Sequence, residues 1–596
     1  MTRHPGWALA GLFVVVAIPS ARWAAGQRRA AEQRGDELAR TVPQATRPGY
    51  STSQRCEACH PSQYASWHRG YHRSMTTYAS PETVRGNFDH VHLAGGGYEV
   101  NLSRRGDEFY VDMIDPQYQY EVDFGQRAPE QLAPRVERRV SLVTGSHHMQ
   151  AYWVPSNLDN GQFSVPFTYL FDDQRWVSRA DVFLHPPDER QQVQVWNVSC
   201  ITCHSTAGQP LTGERGAESR VGEMGIACEA CHGPAEEHIA ANQNPIRRYL
   251  EHLRGGGDST IVNPARLDPK RGSQVCGQCH ALTDLSDEIY RGVGKTYVAG
   301  DDLERTQPLL SPLHPSPQLA RYVAEDSNYL RGYFWADGTV RVSSRDYTGM
   351  MESKCMQGGL GCTSCHSLHE SDPSMLVAAG KDGDGACTGC HAKIDASHSH
   401  HRAGSEGAKC MSCHMPYTVY GLLKGIRNHR IDSPHVTGKT GGDERPNACN
   451  LCHVDRSLAW SAKYLADWYK QPVAPGLSDR PAAVEWMLTG DAVQRAIAAW
   501  QFGWQGARAA AKVDDLVPYL VAALDDPYAA VRYVAGHALK NLDPANEFDY
   551  LAAPEERRRA ADAILQRWRA KHPGAAVPSV DELVQERDNT PVRAME

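Results

Sequence analysis

Positive charge is scarce in this chain of 596 residues: 62 Lys and Arg stand against 70 Asp and Glu, a formal net charge of −8. That balance, with a pI near 6.4, gives no support to a nucleic-acid surface. Aromatic residues make up only 8%, and mean hydropathy is −0.52, as in soluble proteins. Long apolar runs are also missing, apart from 7–18, which Pro19 ends. Arg3 and His4 precede that run, which has the length of a signal-peptide core and is short for a membrane span. Ala24, Ala25 and Gly26 offer small residues for cleavage, whereas Arg22, Arg28 and Arg29 behind the run disfavour export. Residues 1–26 therefore read as a signal peptide or N-terminal membrane anchor and 27–48 as a linker. The rest is expected to be periplasmic or otherwise exported. At 596 residues, two to four domains are expected.

Solitary cysteine is almost absent. Of 17 cysteines, only Cys355 stands outside a Cys-x-x-Cys-His unit. The eight units are Cys56, Cys59 and His60; Cys200, Cys203 and His204; Cys228, Cys231 and His232; Cys276, Cys279 and His280. Then follow Cys362, Cys365 and His366; Cys387, Cys390 and His391; Cys410, Cys413 and His414; Cys449, Cys452 and His453. Two cysteines three apart lie on one side of a helical turn, where their sulfurs can form thioethers with the two haem vinyl groups. The histidine that follows is carried over the porphyrin face and can ligate iron. Zinc sites do not require a histidine after every second cysteine, and redox pairs are not repeated eight times. The expected cofactors are eight covalently bound haem c groups, whose attachment outside the cytoplasm agrees with export.

An electron-transfer haem commonly takes a second histidine on its other face. Candidates are His72 after the first unit, the pair His147 and His148, His238 after the third and His369 after the fifth. His398, His400 and His401 lie between the sixth and seventh, and His429 and His435 follow the seventh. His4, His537 and His572 fall outside this region.

Regular patterning is sparse between 195 and 455, as expected where porphyrins supply the apolar faces. The fold class read here is a multihaem cytochrome c, mainly α, with little regular structure around stacked haems. A small β-rich insertion is placed at 85–190 within an octahaem domain at 49–455. Its clearest element alternates Tyr98, Val100 and Leu102, turns at Arg105-Gly106-Asp107, then alternates Phe109, Val111 and Met113, a hairpin pattern. Its role would be a lid over neighbouring haems or a surface that selects partners. An amphipathic helix is expected at 456–470 through Leu458, Trp460, Tyr464, Leu465 and Trp468. A linker at 471–480, a cysteine-free helical segment at 481–570 and a tail at 571–596 complete the chain. Within that segment, 514–542 reads as two helices joined at Asp525-Asp526-Pro527. Val493-x-Arg495 stands about one repeat before Val531-Arg532, so the segment resembles HEAT-type repeats.

Several stretches resemble the multihaem cytochrome c superfamily that includes ammonia-forming nitrite reductases and hydroxylamine oxidoreductase-like proteins. "CEACHPSQYASWHRGYHRSM" resembles its first-haem signature, with His72 as the distal ligand, and "SHSHHRAGSEGAKCMSCHMP" its segment before a CxxCHMP haem, with HxxH falling on His398 and His401. "ACEACHGPAEEH" and "GCTSCHSLHE" resemble further units of the same kind. Within the superfamily the chain looks similar to octahaem cytochromes with C-terminal HEAT-like repeats. The nitrite reductases bind their catalytic haem through CxxCK, and no such unit exists here. The resemblance therefore implies haem attachment and ligation but assigns no catalytic residue.

Two functions stay open: an electron relay between redox partners, and a reductase or oxidase of a small nitrogen or sulfur compound at one five-coordinate haem. The expected partner is a redox protein or a quinol-oxidising membrane complex, docked through the C-terminal helices. No nucleic acid is expected, and membrane contact only through an uncleaved N-terminus. Cys355 could ligate iron, engage a sulfur substrate, or simply be a buried thiol.

Overall fold

The computed structural model describes residues 41–214, 216–438 and 443–594. The segment read as signal peptide or anchor, His4 included, lies outside them. Helix takes 38% of the chain and strand 15%, so the fold is mixed rather than mainly α.

The strands explain the difference. β1 (Thr76–Tyr78), β2 (Val91–Gly95), β3 (Tyr98–Arg105), β4 (Glu108–Ile114) and β5 (Arg135–Arg139) are followed by β6 (Leu142–Thr144), β7 (Met149–Pro155), β8 (Gln162–Leu170) and β9 (Arg175–Ser178). They form two antiparallel sheets, β1-β6-β7-β8-β9 and β2-β3-β4-β5. The hairpin predicted from alternation joins β3 to β4, with Arg105 opposite Glu108 and Gly106 at φ +62° in the turn. Because successive side chains point to opposite faces, Val100, Leu102, Phe109, Val111 and Met113 all bury against Tyr152, Val154, Phe163 and Phe167 of the other sheet. Trp153 of β7 packs instead with Trp196 and Ile201, so this strand braces the second Cys-x-x-Cys-His unit.

The helix Leu458–Tyr469 forms where the apolar spacing places it, capped by the Ser457 hydroxyl on the Trp460 amide. Beyond it, Ala482–Thr489 and Ala492–Gly503 are buried almost all round, and Ala529–Leu542 packs across the second of them. These helices share one core with Leu184, Trp335, Tyr420 and Leu451 from the rest of the chain. Buried ion pairs fix the contact: Arg341 to Asp491 at 2.5 Å, and Arg495 to Asp526 at 2.6 Å. The stretch read as a tail is no loose end. Leu583, Val592 and Ala594 are buried, and Ala594 donates its amide to the Leu184 carbonyl.

Candidate functional site

All eight Cys-x-x-Cys-His units adopt one local geometry. In five, the histidine amide donates to the first cysteine's carbonyl at 2.8–2.9 Å, closing a helical turn at His60, His204, His366, His391 and His453. The other three lie within Cys228–His232, Pro269–His280 and Cys410–His414. Each turn sets two thiols on one side and carries an imidazole past them. Burial pushes the Cys231 thiol up to about 11 and those of Cys200, Cys449 and Cys452 to about 12. Among the described residues, no three His, Cys, Asp or Glu side chains converge as a metal-binding group.

Across from six unit histidines stands a second imidazole. The ring centroids of His60 and His238, His280 and His72, His232 and His369, His366 and His429, and His414 and His398 are each 6.3 Å apart. Those of His453 and His401 are 5.9 Å apart. Rings in direct contact would stand closer. Two iron–imidazole bonds of about 2.0 Å, plus roughly 1.2 Å from each nitrogen to its ring centre, give about 6.4 Å. The residues present therefore fit a haem between each pair.

Several outer nitrogens are anchored, which leaves the inner Nε2 facing across the gap. His232 Nδ1 lies 2.7 Å from the Val262 carbonyl, His414 Nδ1 2.8 Å from that of Asp432, and His401 Nδ1 2.6 Å from that of Ser399. Such bonds fix the tautomer that presents Nε2 to a metal. His238 Nδ1 lies 3.2 Å from Asp258. Burial holds His72 down at about 4, a neutral ring.

His147 and His148 are not brought opposite a unit histidine. His147 packs on Tyr71 at 4.1 Å and on His148 at 3.9 Å, just before β7. The Lys424 ammonium lies 3.0 Å from His148 Nε2, engaging the nitrogen that ligation would need. His400 stacks on Trp468 at 4.3 Å, and His435 is exposed. Among the described residues, no histidine ring faces His204 or His391 as in the six pairs.

The units form one connected series. Thiols meet between Cys56 and Cys228, Cys276 and Cys362, and Cys387 and Cys410. Cys231 neighbours Cys276, Cys365 neighbours Cys387, and Cys413 neighbours Cys449. The order in space is thus first, third, fourth, fifth, sixth, seventh and eighth, with the second beside the fourth through Cys203 and Cys279. A cavity of about 2310 Å³ runs past seven of the eight units. Cys355 lines it, beside the thiols of Cys365 and Cys387.

Two site residues carried no sequence signal. Lys295 is half-buried, with its Nζ 3.2 Å from Cys203 Sγ and 3.6 Å from Cys279 Sγ. Asp346 reaches His280 of the fourth unit and His429, which faces His366 of the fifth. Neither lies in a motif, and only the tertiary fold brings them there.

Comparison with known proteins agrees. Residues 354–396 match the family described as the doubled CXXCH motif, and residues 184–233 match cytochrome c554 and c-prime. The chain is a multihaem c-type cytochrome. No curated protein matches this cytochrome. The solved outer cell wall cytochrome OcwA aligns with 83% of it and 100% of its own chain, at 16% identity and a TM-score of 0.45, too distant to carry an argument. Among the cytochrome's described residues, no helix is long and apolar enough to cross a membrane.

Proposed function

We propose that this cytochrome is an exported electron relay with eight haem c groups, six of them held between two imidazoles. The observation that carries this reading is the set of six imidazole pairs on units that neighbour one another in series. Bound haem c supplies a one-electron ferric/ferrous couple at each unit. At those six units the paired histidines would hold the haem iron between them and leave no room for a small ligand. The closeness of the units' cysteines would keep neighbouring haems near one another, as electron hopping requires. The partners would be redox proteins or a quinol-oxidising membrane complex. The C-terminal helices, HEAT-like in our reading, turn their apolar seam into the chain's own core, so a partner would meet their outer polar face.

A second reading rests on His204 and His391, which among the described residues have no facing histidine. An open position at either would suit a reductase or oxidase of a small nitrogen or sulfur compound, nitrite, hydroxylamine or tetrathionate among them. Electron paramagnetic resonance of the oxidised protein separates the two. A spectrum that nitrite and hydroxylamine leave unchanged supports the relay. A high-spin ferric signal abolished by either compound supports the enzyme.

A further inference from the structure

Asp346 opens the helix Asp346–Met351, which packs against Pro269–His280. Its Oδ2 lies 3.4 Å from Nδ1 of His280, and its Oδ1 lies 3.1 Å from Nδ1 of His429. His280 faces His72 and His429 faces His366, so one carboxylate reaches the outer nitrogens of two separate imidazole pairs. Those pairs belong to neighbouring units, joined where Cys276 meets Cys362. The fourth unit is also where the third and second units join the series. Asp346 therefore stands at the junction.

Its surroundings set it apart. The outer nitrogens of His232, His414 and His401 meet neutral carbonyls. The other carboxylate near such a nitrogen, Asp258 beside His238, is also paired with Arg247 at 2.9 Å. Among the described residues, Asp346 has no Lys or Arg partner, and its negative charge is directed at the two imidazoles alone.

We propose that Asp346 is a positioning residue that lowers the reduction potentials of the fourth and fifth haems together. The proposal rests on the reading above that His280 and His429 are axial ligands. A carboxylate this close to Nδ1 makes an imidazole a stronger donor through its negative charge and favours ferric over ferrous iron. Because the carboxylate is shared, one substitution moves two redox steps.

The test is a redox titration of the full-length haem-loaded protein, followed by electron paramagnetic resonance, for wild type, Asp346→Asn and Asp346→Glu. Asn keeps the shape and removes the charge; Glu restores the charge. The expected result is an unchanged haem load, two steps moved together to higher potential in the Asn variant, and their return toward wild type in the Glu variant. Movement of no step, of one step, or of all steps alike in a low-spin Asn variant overturns the role of Asp346 alone. Absence of bis-imidazole signals at these two haems in the loaded wild type overturns the ligand reading, and this proposal with it.

Discussion

The imidazoles of His398 and His414 stand 6.3 Å apart and within 10° of parallel. His398 lies before the seventh unit, on the short 3-10 turn Ala396–Ser399, and His414 closes that unit. The stretch joining the sixth and seventh units thus folds back so that His398 faces the histidine of the seventh and His401 that of the eighth.

Removing a facing histidine should open one iron and leave the others as they were. His369→Ala is expected to convert about one haem in eight from low to high spin, with the haem load intact. Electron paramagnetic resonance checks this. An unchanged low-spin spectrum would remove His369 as a ligand.

Much of this site was legible because haem attachment is local: cysteines and histidine fall within five residues, and a helical turn does the rest. His238 and His369 were also within reach, each a few residues past a unit. His147 and His148 could not be placed from sequence, because a paired histidine looks the same whether it faces a unit histidine or, as here, Tyr71 and Lys424. Asp346 was invisible, since its partners lie 66 residues before and 83 after it and meet only through tertiary packing. In the fold, the β3–β4 hairpin could be read from alternation. The pairing of β1 with β6 could not, because three-residue strands carry no period.

Arg495 anchors the C-terminal helices, bonding Asp526 at 2.6 Å and the Gly490 carbonyl at 2.8 Å. Arg495→Ala would leave a buried carboxylate unpaired and should cost about 3–5 kcal/mol. Chemical denaturation of the loaded protein measures it. A loss below about 1 kcal/mol would show that the pair is dispensable.

The strands meet the C-terminal helices through Asp173 and Asp549. The His537 hydrogen bond holds the Asp173 carboxyl below its usual 3.8, with Tyr533 adding to it against burial. At Asp549, burial raises the carboxyl, but Arg175 outweighs it and the net shift is downward. Folded values below the unfolded one mean that the stabilisation is complete above about pH 4 and is lost as pH falls through the lower folded values. Acid unfolding of Asp173→Asn should show a shallower loss of stability below pH 4 than wild type. Equal slopes would remove Asp173 from the contact.

Cys355 lies outside every unit, and Cys355→Ser is expected to leave both spectrum and electron transfer unchanged. A change in either would make the thiol a ligand or a reactant.

The most direct measurement is the intact mass of the purified polypeptide under denaturing conditions, with free thiols counted. The account predicts a mass increased by eight haem groups that denaturation does not release, and one free thiol, on Cys355. A mass without those increments, with sixteen further thiols free to react, would contradict it.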